Sequence, residues 1–188
     1  LYCVITGTIA MGCWVIAHEC GHHAFHPNRC IEGVVGFVLH SILLVPYYSW
    51  AHSHAVHHAH CNHLEKGQTH VPSRAASPIG KITEQLKENL NPVIFGIISL
   101  FNHLVIGWQL YLFFGVTGGE EYESPTSHFW NRKRNSIRKK RLFHKSFQKW
   151  MTRSNIGLLS MVTLLIAASI QYSLLRLVCL YGLPYMVI

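Results

Sequence analysis

Long stretches without charge constrain this chain more than any other feature. Residues 1–17 (LYCVITGTIAMGCWVIA), 93–116 (VIFGIISLFNHLVIGWQLYLFFGV) and 156–175 (IGLLSMVTLLIAASIQYSLL) carry no Asp, Glu, Lys or Arg. Residues 31–50 (IEGVVGFVLHSILLVPYYSW) carry only Glu32. A bilayer's hydrocarbon core takes a helix of about 20 apolar residues. Charged residues make up 13% of the chain, about half the usual share of a soluble domain. The fold class expected is therefore all-α: an integral membrane helical protein, a single domain over residues 1–188.

Residues 1–17 read as the end of a spanning helix that delivers His18 to the membrane surface. Residues 156–175 read as a complete span, with Arg176 at its far end. Residues 177–188 begin another apolar segment that bends near Gly182 and Pro184. The chain starts at Leu1 and ends at Ile188 inside an apolar run, and it is expected to be a piece of a longer one. None of the six cysteines forms a CxxC pair, so buried, reduced thiols are expected rather than a disulfide framework.

Twelve of the fifteen histidines lie between His18 and His70. Two tight groups stand out, His18-Glu19-Cys20-Gly21-His22-His23 and His54-Ala55-Val56-His57-His58. In a helix His18 and His22 share a face, as do His54, His57 and His58. His23 reaches that face only if the helix frays, which Gly21 allows. Metal coordination is the task imidazole does best, and the candidate ligands are His18, His22, His23, His54, His57 and His58. Ligand type alone leaves Fe, Zn, Cu and Ni open. Glu19, His40, Asn62 and Glu65 are candidates for orienting the ligand rings. His26, His52, His60, His63 and His70 read as flanking or surface residues, and thiolate ligation by Cys20 or Cys61 as minor.

A shared site constrains topology. If 31–50 crossed the membrane, the two groups would face opposite sides, so this run is expected to lie at the interface or to dip in and return. A simple crossing is the alternative. Residues 51–92 are polar, with a short helix expected near 81–90. Ten of the sixteen Lys and Arg fall between Arg132 and Arg153. Such charge beside a span stays cytosolic, so 93–116, interrupted by Asn102 and His103, should enter and leave by one face. Phe143, Phe147 and Trp150 interleave with these charges and a span follows, which favours lipid contact over nucleic acid.

At these residues the chain resembles the membrane fatty acid desaturases, most closely the oleate Δ12 and related ω3 group. VIAHECGHHAF (15–25) resembles the first histidine box, LHSILLVPYYSW (39–50) the lead into the second, and HAVHH with THVP (69–72) the second box and its flank. GWQLYLFFGVTG (107–118) resembles a further stretch of the group. The resemblance implies a cytosolic-face di-iron centre and interfacial helices. It implies removal of two hydrogens from an acyl CH₂–CH₂ with O₂ and two electrons, leaving a cis double bond. It also implies an acyl lipid substrate, cytochrome b5 as donor in the endoplasmic reticulum or ferredoxin in plastids, and no catalytic residue beyond the metal ligands. The chain departs in two ways: the family's third HxxHH is absent, so the site is incomplete and this stretch alone is expected to be inactive, and Ala55 and Val56 stand where basic residues are common. A hydroxylase, acetylenase or conjugase is the alternative within the family. A histidine-rich metal transporter or sensor is the alternative from another class.

Overall fold

The computed structural model describes residues 1–69, 71–131 and 138–188. His70 and the first part of the basic stretch lie outside the described residues. Among those described, the regular structure is helical, with one isolated parallel bridge between Tyr122 and Lys140. The chain divides into two compact units, residues 1–55 with 128–130 and 143–188, and residues 56–127 with 131–142.

In the first unit, α1 (Tyr2–Gly21) is followed by a turn and then α2 (Arg29–Ile42). Asn28 caps α2, its side chain accepting the Cys30 N–H at 2.9 Å, the usual way to satisfy a helix's first free donors. Leu44 takes a left-handed backbone (φ 55°) ahead of Pro46, and α3 (Tyr47–Ala59) starts anew. The expected 31–50 run is thus two helices, bent by 106°. Such an angle rules out one straight crossing. α7 (Gln148–Tyr172) begins eight residues before the expected span, because its first two turns are built from the end of the basic stretch. Ser173 (φ 77°) breaks it from α8 (Leu174–Leu177), and a short wide-turned segment leads to α9 (Leu183–Tyr185).

Small residues set the packing of this unit. α2 lies against both α1 and α7. A Cβ at Gly157 of α7 would run into Ser41 and Phe37 of α2, and one at Gly36 into the Tyr47 ring. Ser154 of α7 accepts the Tyr48 N–H at 3.0 Å, so one helix satisfies a first-turn donor of another. Met151, fully buried, sits one turn earlier on α7.

In the second unit, Ser77 caps α4 (Pro78–Asn89) and Asn91 caps α5 (Pro92–Phe101), each with Pro at the first helical position, where its missing N–H costs nothing. The helix runs on through a π-helical segment (Asn102–Gly107) into α6 (Trp108–Phe114), which ends at left-handed Gly115. Asn102 and His103 do not turn the chain back: the π turn absorbs them, and His103 Nδ1 meets the Ser99 carbonyl at 3.0 Å. The reversal is made elsewhere. Gly119 N–H donates to the Gly67 carbonyl (2.7 Å), Glu121 N–H to that of Glu65 (3.1 Å), and Val71 N–H to that of Thr117 (3.2 Å). The chain just before the α4–α6 excursion is therefore clasped to the chain just after it.

Candidate metal centre

The last turn of α1 and the second half of α3 supply the histidines. His18 and His22 are one turn apart on α1, and His54 is on α3. Their Nε2 atoms form a triangle: His18 to His22 3.2 Å, His22 to His54 3.1 Å, His18 to His54 2.8 Å. His58 follows one turn along α3, and the four rings offer ligand atoms within 4.8 Å of one another.

The triangle cannot be satisfied by its own hydrogen bonds. Each Nε2 carries either a proton or a lone pair, so at least two of three are alike and repel. A cation taking three lone pairs removes the conflict. Nitrogens about 2.1 Å from one divalent ion stand roughly 3.0–3.4 Å apart, close to what is seen. Glu19 completes the case. Its Oε1 lies 2.9 Å from His18 Nδ1, and an ionised carboxylate only accepts, so in the neutral ring Nδ1 holds the proton and Nε2 keeps its lone pair. This is the carboxylate–histidine pairing that orients metal ligands. The donor set fits a metal ion.

Aromatic rings back the triangle. Trp50 stacks on His54 (centroids 4.5 Å, 20° between planes) and Trp14 on His18 (5.5 Å, 29°). His40 has no exposed surface and is enclosed by Trp14, Tyr47 and Trp50. It lies behind the ligands, not among them.

The other candidates lie elsewhere. His23 follows the end of α1 with φ 62°, and its Nδ1 meets Glu32 Oε2 at 2.8 Å, outside the four-ring group. Burial pushes the Glu32 carboxyl up, but hydrogen bonds from His23, Arg29 and the backbone of His26 and Phe25 outweigh it and lower it to about 2. His57 packs against His58 (5.4 Å) and is not in the group. Asn62 is exposed with φ 59°. Glu65 pairs with Arg74 (3.6 Å), which also pairs with Glu120 (3.0 Å), and neither Asn62 nor Glu65 belongs to the group. His26 accepts the Asn28 N–H, His63 accepts those of Glu65 and Lys66, and His60 donates to the Val56 carbonyl. His52 lies against Phe143 and Phe147. All six cysteines are free thiols; Cys20 is buried and Cys61 exposed.

One residue with no spacing signal matters here. His128, fully buried, is 2.9 Å from Ser53 Oγ. Ser53 spends its hydroxyl proton on the Trp50 carbonyl at 2.9 Å, so His128 Nε2–H is the donor. The stretch Ser127-His128-Phe129 holds no second histidine at helical spacing that would have singled it out.

The family model described as fatty acid desaturase matches residues 1–188. Similar proteins include an acyl-lipid (9+3)-(E)-desaturase of Dimorphotheca sinuata, 37% identical over 99% of this chain and 46% of its own length. An omega-6 fatty acid desaturase, endoplasmic reticulum isozyme 1, of Glycine max is 36% identical over 100% of this chain and 45% of its own. A Δ12 acyl-lipid conjugase (11E,13E-forming) of Impatiens balsamina is 31% identical over 100% and 46%. The chain spans about half the length of these curated relatives. No solved structure matches it. With paired histidine helices at a membrane-helix end and a family match running from the first residue to the last, the chain belongs to the fatty acid desaturase family.

Proposed function

We propose that this chain is the two-box part of a membrane acyl-lipid desaturase of the Δ12 or ω3 type. The overall reaction is R–CH₂–CH₂–R′ + O₂ + 2e⁻ + 2H⁺ → R–CH=CH–R′ + 2H₂O, with a cis double bond. The observation that carries this reading is the Nε2 triangle of His18, His22 and His54.

His18, His22, His54 and His58 are the residues to hold iron, with His23 and His57 as further ligands on their flanks. When bound, two irons supply the redox chemistry with O₂ that breaks an unactivated C–H bond, which acid–base side chains cannot do. Glu19 keeps the proton on His18 Nδ1. Trp14 and Trp50 hold the rings of His18 and His54 at fixed tilt and keep water from their backs. The exposed apolar faces of α1 and α7 lie in the bilayer, where the acyl chain is dissolved. The endoplasmic reticulum is the proposed compartment, with cytochrome b5 as electron donor; a plastid protein would use ferredoxin. The conjugase among the relatives supports a second reading, in which the same centre gives another outcome on the same chain.

Protein from the complete gene, purified in detergent, is expected to hold about two Fe per chain, and His54→Gln to lose most of it. A host making no polyunsaturated lipid should gain a new cis double bond on expression, read by mass spectrometry of its fatty acid esters. Zinc without iron would overturn the reading; a conjugated product would favour the second.

A further inference from the structure

The turn between α1 and α2 is wrapped around a buried charge. Glu32 is 1% exposed, although a charge there gives up its hydration. Oε2 is 2.8 Å from His23 Nδ1 and 3.0 Å from Arg29 Nη1. Oε1 accepts the backbone N–H of Phe25 at 3.1 Å and of His26 at 3.4 Å. The same Arg29 nitrogen also reaches the His23 carbonyl at 3.0 Å. About four acceptor sites on a carboxylate meet four donors.

Closing a turn needs only a neutral acceptor such as Asn or Ser. What a carboxylate adds is that it only accepts. In the neutral ring His23 Nδ1 must then hold the proton, so Nε2 keeps a bare lone pair. The His23 side chain is 64% exposed and its left-handed backbone turns it off the α1 face. Glu19 and His18 make the same pairing five residues earlier.

We propose that Glu32 is a positioning residue: it fixes the tautomer of His23 so that the ring presents an unprotonated Nε2 to a divalent metal ion. The metal half of this inference rests on the proposed iron centre; the tautomer half does not. Glu32 would act through His23 and touch neither metal nor substrate.

Two measurements test it. Ring-¹⁵N histidine labelling of protein from the complete gene in micelles, stripped of metal, reads the tautomer, with His23 assigned by its loss in His23→Gln. At a pH where the ring is neutral, Nδ1–H alone is expected in the native protein. Glu32→Gln, whose amide donates as well as accepts, should bring in the Nε2–H form, and Glu32→Asp should restore Nδ1–H. Iron content is then measured on protein from the complete gene, with circular dichroism showing that each variant is folded. Glu32→Gln should weaken iron binding 10–100-fold and Glu32→Asp should recover most of it. An unchanged tautomer in Glu32→Gln would overturn the positioning role. A changed tautomer with unchanged iron would overturn the metal half. A native protein without iron overturns the iron reading itself and with it the metal half, while the tautomer half stands or falls by the ring-¹⁵N result.

Discussion

His128 reaches Ser53 across 75 residues of sequence, and Ser53 in turn holds the Trp50 carbonyl. Trp50 carries the ring stacked on His54, so a buried imidazole outside both histidine groups braces one of their helices. His128→Phe keeps the volume and removes the donor. It should cost about 1–3 kcal/mol of stability, the usual loss when a buried hydrogen bond loses one partner; thermal unfolding in micelles, followed by circular dichroism, measures it. An unchanged midpoint would mean that the pair contributes nothing. Spacing did not reveal this residue, and the reason is physical. His18 with His22, and His54 with His58, are one helical turn apart and need only the helix to share a face. His128 and Ser53 meet through tertiary packing, which has no local period. His23 is an intermediate case. Gly21 signals that the helix can end there, but the left-handed backbone that sends His23 to Glu32 follows from the turn the carboxylate organises.

Among the elements, the apolar runs were legible by length and the breaks within them less so. Pro46 marks the start of α3, but the left-handed Leu44 that creates the 106° bend has no signature of its own. Asn102 and His103 look like a place to turn and are not, because a π turn absorbs them without ending the helix. The loop strand that carries the bridge at Tyr122 and Lys140 offers a test by pH. Glu123 N–H donates to the Lys140 carbonyl at 2.9 Å and Lys140 N–H to that of Glu121 at 2.7 Å; their side chains pair at 2.7 Å. The hydrogen bond from Lys140 lowers the Glu121 carboxyl below its ordinary 4.5. The hydrogen bond to Glu121 raises Lys140 above 10.5. A lowered acid contributes stability that is complete above its ordinary value and lost as pH falls through the depressed one. A raised base contributes stability that is complete below its ordinary value and lost as pH rises through the elevated one. Amide protection of Glu123 and Lys140, corrected for intrinsic exchange, should therefore be flat from about pH 5 to 10 and fall outside that window. A decline already under way at pH 6 would contradict the pairing.

At the scale of the whole molecule, membrane crossings follow from what is tied to what. Pro92–Phe114 is long and apolar enough to cross. Yet the residues before and after the excursion are clasped at Gly67–Gly119 and Glu65–Glu121, and its outward limb contains α4 with Lys81, Glu84, Lys87 and Glu88. That limb is too charged to cross, so α5 and α6 are expected to make no net crossing. The α2–α3 pair makes none either, since Glu32 meets His23 at its start and His54 meets His22 near its end. Of the three helices long and apolar enough to cross, α1 and α7 are then the ones expected to change sides. Thiols at Cys30, Cys61 and Ser146→Cys should then react with an impermeant maleimide from the same side of sealed vesicles, and Ser173→Cys from the other. Cys61 and Ser146→Cys labelled from opposite sides would overturn this topology. The brace between Ser53 and His128 also has a consequence in time. A ribosome adding about 5–20 residues per second needs about 4–15 seconds to advance the 75 positions separating these partners, and the Ser154 contact to Tyr48 comes later still. During that interval the second histidine helix exists without its brace, so its final packing waits for downstream segments to be made.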